Sequence, residues 1–249
     1  MTEFDWLVIA LFLPLFPFSA IFVLAYKKLP GIWLKSLMLL VWPQVGLLAM
    51  GTDMSFPDWL PLWALLTSLL YAFRSLVLRD VNLWIGYIAV SCWALMWMVL
   101  PSHSLQQLQL TLLGFSLPFA LMLLRGGELH QRFGAAYCGL HGGIVKMLPR
   151  LSTLFVFGVL AVIATPVFPG FFAMLIVLFE QVVVSPLNAL LLIVIWFFWT
   201  WSGMRLIQQL VAGEPVQSQF EDVSSARAMG YGVFLLLLAL LGIRAAGGL

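Results

Sequence analysis

Three ionisable residues stand inside strongly apolar stretches of this sequence, where a charge is expensive and therefore a candidate for function. Lys35 follows GIWL, Arg74 follows SLLYAF, and Glu180 lies in LIVLFEQVVV. Groups of this kind can bind an ion or pass a proton inside a membrane. Lys35 and Arg74 each lie about one turn from the end of an apolar run, so both can also extend to the interface. Glu180 either lies deep or approaches the opposite interface, and the sequence leaves both open.

The sequence gives little support to metal binding, enzymatic catalysis or nucleic-acid binding. His103, His130 and His141 have no metal-binding spacing and no clustered carboxylates. No nucleophile elbow, phosphate-cradling glycine loop or HExxH pattern occurs. The pairs Gly126-Gly127 and Gly142-Gly143 are typical of turns. We therefore expect neither an enzyme nor a metal or cofactor site, and the absence of a basic stripe argues against nucleic acid.

The amino-acid composition indicates that most of this chain lies in a lipid bilayer. Hydrophobic residues make up 63% of the 249, and charged residues 9%, against roughly a quarter in soluble domains. A bilayer can hold that much apolar surface, whereas a water-soluble fold of this size cannot. The sequence predicts an all-α integral membrane protein, with residues 1–249 forming a single transmembrane domain.

The apolar runs predict about eight membrane crossings, since a crossing helix needs about 20 mostly apolar residues. Trp6, Trp33, Trp59 and Trp84 stand near the ends of runs, as in an interfacial aromatic belt. The seven clear runs are Trp6–Tyr26, Ile32–Met50, Trp59–Leu78, Val81–Leu100, Leu108–Leu124, Ser185–Leu210 and Ala228–Ile243.

The remaining stretch, Leu151–Val184, is too long for one straight crossing and too short for two with a loop. Pro166, Pro169 and Gly170 interrupt it, and each proline removes a backbone donor. We predict one discontinuous helix broken at Ala164–Gly170. With eight crossings and the N-terminus outside, every Lys and Arg except Arg244 lies on or near the cytoplasmic side, which the positive-inside rule favours slightly over nine crossings.

Around this stretch the sequence resembles a known family. The segments that carry the resemblance are HGGIVKMLPRLSTLFVFGVLAVIATPVFPGFFAMLIVLFE (141–180), DVNLWIGYIAVS (80–91), ELHQR (128–132), WSGMRLIQQLVAGEP (201–215) and EDVSSAR (221–227). In their order they resemble the antiporter-like membrane subunits of respiratory complex I and of Mrp cation/proton antiporters, the proton-conducting membrane transporter family. The resemblance implies that residues 57–249 form the C-terminal half of such a subunit with its last span, and that residues 1–56 add two spans.

The departures from the family concern its titratable positions. The basic residue of the family's D-L-K-R corresponds to Asn82, and the histidine after its S-V-S to Cys92. The histidine that opens its next helix corresponds to Phe115, and the charged residue after GF in its broken helix to Met174. The resemblance thus implies a scaffold whose proton-carrying groups are replaced.

Two functions follow as expectations. The first is a structural or accessory membrane subunit of a larger proton- or sodium-driven complex, with the ion path mainly in a full-length antiporter-like partner. Inorganic-carbon (bicarbonate/CO2) uptake, hydrogenase and Mrp-type assemblies are candidates, the first with a peripheral carbonic-anhydrase-like subunit, in the inner (cytoplasmic) membrane. The alternative is a self-sufficient proton or cation transporter that uses Lys35 and Glu180, with Arg74 as a further candidate on the ion path.

Overall fold

A computed structural model describes residues 5–50, 56–134, 137, 143–212 and 221–246. His141 and Gly142, named above, lie outside these residues. The described part consists of helices and their connections and contains no strand, only an isolated bridge between Asp80 and Tyr137. Its helices are α1 (Asp5–Phe12), α2 (Ser19–Lys28), α3 (Ile32–Leu48), α4 (Leu60–Ser75), α5 (Val81–Leu95, extended by a 3₁₀ turn Met96–Met98), α6 (Leu105–Phe133), α7 (Ile144–Met147), α8 (Pro149–Val162), α9 (Pro169–Val184), α10 (Pro186–Leu210) and α11 (Ser225–Ala246).

The all-α membrane fold is confirmed. Among the described residues, four helices are long and apolar enough to cross a membrane, namely α5 with its 3₁₀ turn, α6, α10 and α11. Helices α3, α8 and α9 are apolar but shorter. When α1–α2 and α8–α9 are each counted as one broken helix and the four-residue α7 is left out, the described residues form eight helical units, equal to the number of crossings that the sequence predicts.

The predicted interruption of Leu151–Val184 is present. Helix α8 ends at Val162 and α9 begins at Pro169, so Pro166 lies in the gap and Gly170 already lies in the first turn of α9. Ala164 and Val167 have positive φ angles of 56° and 85°, which redirect the chain between the two halves.

The two halves run along one neighbour as a single broken crossing. Glu180 contacts Ser102, just before α6, and Pro169 lies against Gly114. Further along, Gly158 lies against Met122. These pairs follow an antiparallel register along α6 as far as Met122, within a helix that is about 44 Å long at 1.5 Å per residue. Helix α6 therefore supports both halves of the broken helix.

The first predicted crossing, Trp6–Tyr26, is also broken, which the sequence analysis did not predict. Helix α1 ends at Phe12 and α2 begins at Ser19. Pro14 and Pro17 lie in the gap and account for the break, because neither can donate a backbone hydrogen bond.

Helix α6 is longer than predicted. The apolar run was expected to end at Leu124 and the Gly126-Gly127 pair to form a turn, but the helix continues to Phe133. A side chain at Gly126 would overlap the amide oxygen of Asn82, and one at Gly127 would overlap Ile32. The two glycines thus allow α5 and α3 to approach closely, and the prediction of a turn was wrong there.

Helix α5 forms the centre of the bundle. The window Val81–Met98 is 89% buried, whereas the best windows of α10 and α11 are 33% and 17% buried. Helices α2, α4 and α6 surround α5, while α10 and α11 lie at the periphery. Cys92, which the family resemblance singles out in α5, therefore lies in the interior.

Candidate functional site

The positions that correspond to the family's titratable groups fall into two environments. Cys92 on α5, Phe115 on α6 and Met174 on α9 are fully buried, with at most 1% exposure. Phe115 packs edge-on against the Trp199 ring, with centroids 6.4 Å apart. Asn82 lies apart from them at the start of α5, where its N–H donates to the Asp80 carboxylate at 2.8 Å.

Neutral pairs of tryptophan and serine hold the interior around these residues. The indole N–H of Trp84 donates to Ser202 at 2.9 Å, which links α5 to α10. The remaining bonds join Trp93 to Ser116 at 3.1 Å, Trp199 to Ser91 at 2.9 Å, and Ser91 to Ser68 at 2.9 Å. A buried polar group is costly unless it is bonded, and these pairs satisfy one another without a charge.

This network corrects one expectation. Trp84 was predicted to belong to the interfacial belt, but it is fully buried, whereas Trp33 and Trp59 are 77% and 51% exposed. Ser202, 118 residues later, provides the partner that allows Trp84 to lie in the core.

Glu180 lies at one end of α6, next to the residues that precede this helix. Its carboxylate accepts a hydrogen bond from Ser102 at 2.7 Å and lies 3.0 Å from Nδ1 of His103. Together with Gln107 and Thr111 it lines a cavity of about 490 Å³, here named the Glu180 cavity. Its inner wall is formed by Gly114 and Pro169, so the cavity reaches the break between α8 and α9.

Lys35 lies at the other end of α6. It lines a cavity of about 820 Å³, here named the Lys35 cavity, with Asn82, Glu128 and Arg227. The ammonium nitrogen of Lys35 lies 5.4 Å from the centre of the Tyr26 ring, at a distance typical of a cation–π contact.

The two cavities share no lining residue. On α6 the Glu180 cavity extends to Gly114 and the Lys35 cavity includes Leu124, Gly127 and Glu128. The α6 segment between them includes Phe115, Phe119 and Met122, all of them buried. Arg74, the third candidate, is exposed on α4, where its guanidinium lies 5.6 Å from the centre of the Tyr87 ring.

Arg125, which was not among the residues predicted from the sequence to be functional, lies inside α6 and is fully buried. Its guanidinium stacks on the Tyr231 ring of α11 at 3.0 Å from the centroid. None of its side-chain nitrogens has a hydrogen-bond partner among the described residues. It was missed because the apolar run ends at Leu124, which made Arg125 look like the first residue of a loop.

Glu128, one turn further along α6, forms ion pairs with Arg132 and, at 3.7 Å, with Arg227. Nearby, the Arg150 and Leu151 N–H groups donate to the Asp222 carboxylate, and Arg205 donates to the carbonyl of Leu78 at 2.7 Å. One end of the bundle thus collects most of the described cations, and we call it the basic end. The described residues contain no group of three or more His, Cys, Asp or Glu able to hold a metal ion.

The fold is that of a membrane subunit of the complex I and Mrp type. Three solved structures that superpose on this chain support this assignment of the fold. A chain of respiratory complex I from Thermus thermophilus superposes with a TM-score of 0.83 at 20% identity, covering 96% of this chain and 53% of that one. The archaeal membrane-bound sulfane sulfur reductase gives 0.81 at 19% identity, covering 96% and 51%, and the Mrp complex of Dietzia sp. DQ12-45-1b gives 0.82 at 14% identity, covering 96% and 55%.

This chain spans about half the length of the chains that it matches. No protein-family model matches the sequence, and no curated protein is similar enough to it to count as a relative. The resemblance seen in the sequence is therefore confirmed at the level of the fold.

Proposed function

We propose that this chain is a structural or accessory membrane subunit of a larger proton- or sodium-driven complex, in which a partner carries most of the ion path. One observation carries the proposal. The interior between the Glu180 and Lys35 cavities consists of apolar side chains and neutral tryptophan–serine pairs, where the family resemblance implies titratable groups.

Proton transfer needs successive titratable groups or ordered water. Over the segment of α6 that separates the cavities, Phe115 and Phe119 are buried and Ser116 is engaged by the Trp93 indole. Met174 closes the same region from α9 with no exposed surface. A route through the interior from Glu180 to Lys35 would have to pass these buried apolar side chains.

The helix breaks support the same proposal. In transporters, unwound backbone at such a break offers free carbonyl oxygens to an ion. Here Trp97 donates to the carbonyl of Leu13 at 2.9 Å and Trp196 to that of Ile163 at 3.2 Å. Each of these two oxygens accepts a hydrogen bond from an indole N–H and is therefore engaged within the protein.

The proposed partners are other membrane subunits, above all a full-length antiporter-like protein. Inorganic-carbon uptake, hydrogenase and Mrp-type assemblies all suit such a subunit, and the first adds a peripheral carbonic-anhydrase-like protein. We place the chain in the inner (cytoplasmic) membrane, without an enzymatic activity, a cofactor or a nucleic-acid partner of its own. Purification in mild detergent, with identification of the co-purifying chains, distinguishes these assemblies.

The alternative, a self-sufficient proton or cation transporter, draws on one feature. The Glu180 cavity carries a carboxylate at its rim and reaches the broken helix at Pro169. Such a cavity is suited to half of an ion path, and Lys35 at the basic end would form the other half.

Proteoliposomes under a pH gradient separate the two functions. The purified chain alone should leak protons no faster than empty liposomes. A flux above that of empty liposomes, lost in Glu180→Gln or Lys35→Met but kept in the control Arg79→Gln at an exposed position, would establish the transporter instead. In the intact complex, Met174→Ala should alter activity only as far as it alters assembly, and loss of transport by a normally assembled variant contradicts the proposal.

A further inference from the structure

A groove runs along the membrane face between α3 and α11, and α6 forms its floor. Its apolar part has a volume of about 550 Å³ and continues into the Lys35 cavity, with which it shares Trp33, Leu124, Arg227 and Tyr231. Both volumes lie in the range of sites that hold small molecules, roughly 300–1,000 Å³.

The apolar part is built to contact hydrocarbon. Leu37 and Leu40 form one wall, Leu117 and Leu121 the floor, and Phe234 the other wall. Ser36, the polar residue on this wall, turns its hydroxyl to the carbonyl of Ala120 at 3.5 Å.

The other part, at the basic end, carries positive charge. Lys35 and Arg227 line it together with Glu128. Glu128 is engaged mainly by Arg132 and lies 3.7 Å from Arg227. The Arg227 side chain is 66% exposed, and Lys35 forms no ion pair with a described carboxylate, so both cations remain able to bind an anion.

We infer that this groove is a binding site for one anionic phospholipid, with an acyl chain between α3 and α11 and the phosphate at Lys35 and Arg227. The occupant must be apolar at one end and negatively charged at the other, and basic pockets between membrane helices hold such headgroups. Trp33, 77% exposed at the rim, stands where indoles meet the headgroup layer.

Native mass spectrometry of the purified full chain tests the charged half of the site. Phosphatidylglycerol should remain bound under conditions that remove phosphatidylcholine. The double variant Lys35→Gln/Arg227→Gln should bind phosphatidylglycerol at least about tenfold more weakly. The control Arg74→Gln/Arg244→Gln removes the same charge away from the groove and should bind like the parent.

Two glycines of α11 provide a matched test of the apolar half. A Cβ atom at Gly230 or at Gly232 meets no atom within 4 Å, but only Gly230 lines the groove. Gly230→Leu should fill the groove and weaken phosphatidylglycerol binding about tenfold, a loss of the size expected for several buried methylene groups. Gly232→Leu should leave binding unchanged.

Three results would overturn the inference. The first is equal retention of phosphatidylglycerol and phosphatidylcholine. The second is complete displacement of the lipid by glycerol phosphate, which has the headgroup charge without the chain. The third is an effect of Gly232→Leu or of the control charge variant as large as that of its counterpart. None of these results bears on whether the chain conducts ions.

Discussion

Each of the two helix breaks leaves backbone carbonyl oxygens without a partner inside the helix, and the two breaks are stabilised by different contacts. At the first, between α1 and α2, tryptophans from three neighbours donate to freed or terminal carbonyls: Trp42 to Leu11 at 3.1 Å, Trp63 to Phe16 at 2.7 Å, and Trp97 to Leu13. At the second, between α8 and α9, a single indole, Trp196, reaches Ile163.

The second break depends more on close approach of backbones. Gly242 of α11 lies directly against the carbonyl of Val167, and Gly114 of α6 lies against Pro169. Thr165 adds a bond from its own hydroxyl to the carbonyl of Leu160 at 2.9 Å. The comparison indicates that long-range donors stabilise the first break and small residues on neighbouring helices stabilise the second. In the described residues, neither break is bonded by a charged side chain.

The largest loss of stability should come from adding a methyl group to the glycine that packs against the second break. A methyl group at Gly242 would overlap the Val167 carbonyl, so Gly242→Ala should displace α11 and lower the free energy of unfolding by about 3 kcal/mol. Thermal unfolding in detergent measures this. Gly232→Ala, on the same helix with open space around it, is the control, and equal stabilities for the two variants would contradict close packing at the break.

Removal of one donor from the first break should rank next. Trp97→Phe keeps an aromatic ring but leaves the Leu13 carbonyl without its partner in a buried setting, so we expect a loss of about 2 kcal/mol. Denaturant titration of the purified chain provides the value. Trp201→Phe, at a position 54% exposed, should change stability by less than about 0.5 kcal/mol.

The corresponding tryptophan-to-phenylalanine substitution at the second break should lower the free energy of unfolding by less. Trp196→Phe removes the indole donor of Ile163, but Trp196 is only partly buried, so a loss of about 1 kcal/mol is expected in the same titration. A loss larger than that of Trp97→Phe would show that the second break depends on its donor after all.

The smallest effect should follow Thr165→Val. The Leu160 carbonyl would lose the hydroxyl but keep the Thr165 backbone N–H at 3.2 Å, so the loss should be about 0.5 kcal/mol. Thr153→Val, which removes an exposed hydroxyl bond to Pro149, is the matched control. A cost above about 2 kcal/mol for Thr165→Val would place the threonine among the main supports of the break.

The sequence predicted the second break and not the first for a simple reason. Leu151–Val184 was too long for one crossing, so Pro166 and Pro169 had to be explained. Trp6–Tyr26 has the length of an ordinary crossing, so its prolines, Pro14 and Pro17, were not taken to indicate a break. Length, rather than proline content, decided each prediction.

The contacts inside the bundle could not be predicted in this way. Trp84 meets Ser202 across 118 residues and Trp199 meets Ser91 across 108, and nothing in the local sequence of either partner indicates the pairing. The buried position of Arg125 depends on Tyr231, equally distant along the chain. The sequence assigned Cys92, Phe115 and Met174 to apolar helices, but only the packing of α5, α6 and α9 shows that all three are buried.

The indole donors at the breaks also make slow motions measurable. A bonded, buried N–H exchanges its proton with solvent deuterium only when the surrounding structure opens locally. Trp97 is 2% exposed and bonded at the first break, while Trp196 is only partly buried at the second. The exchange rates of these two indole protons therefore report the opening free energy of each break separately, on timescales of minutes to hours, within one molecule that carries no added label.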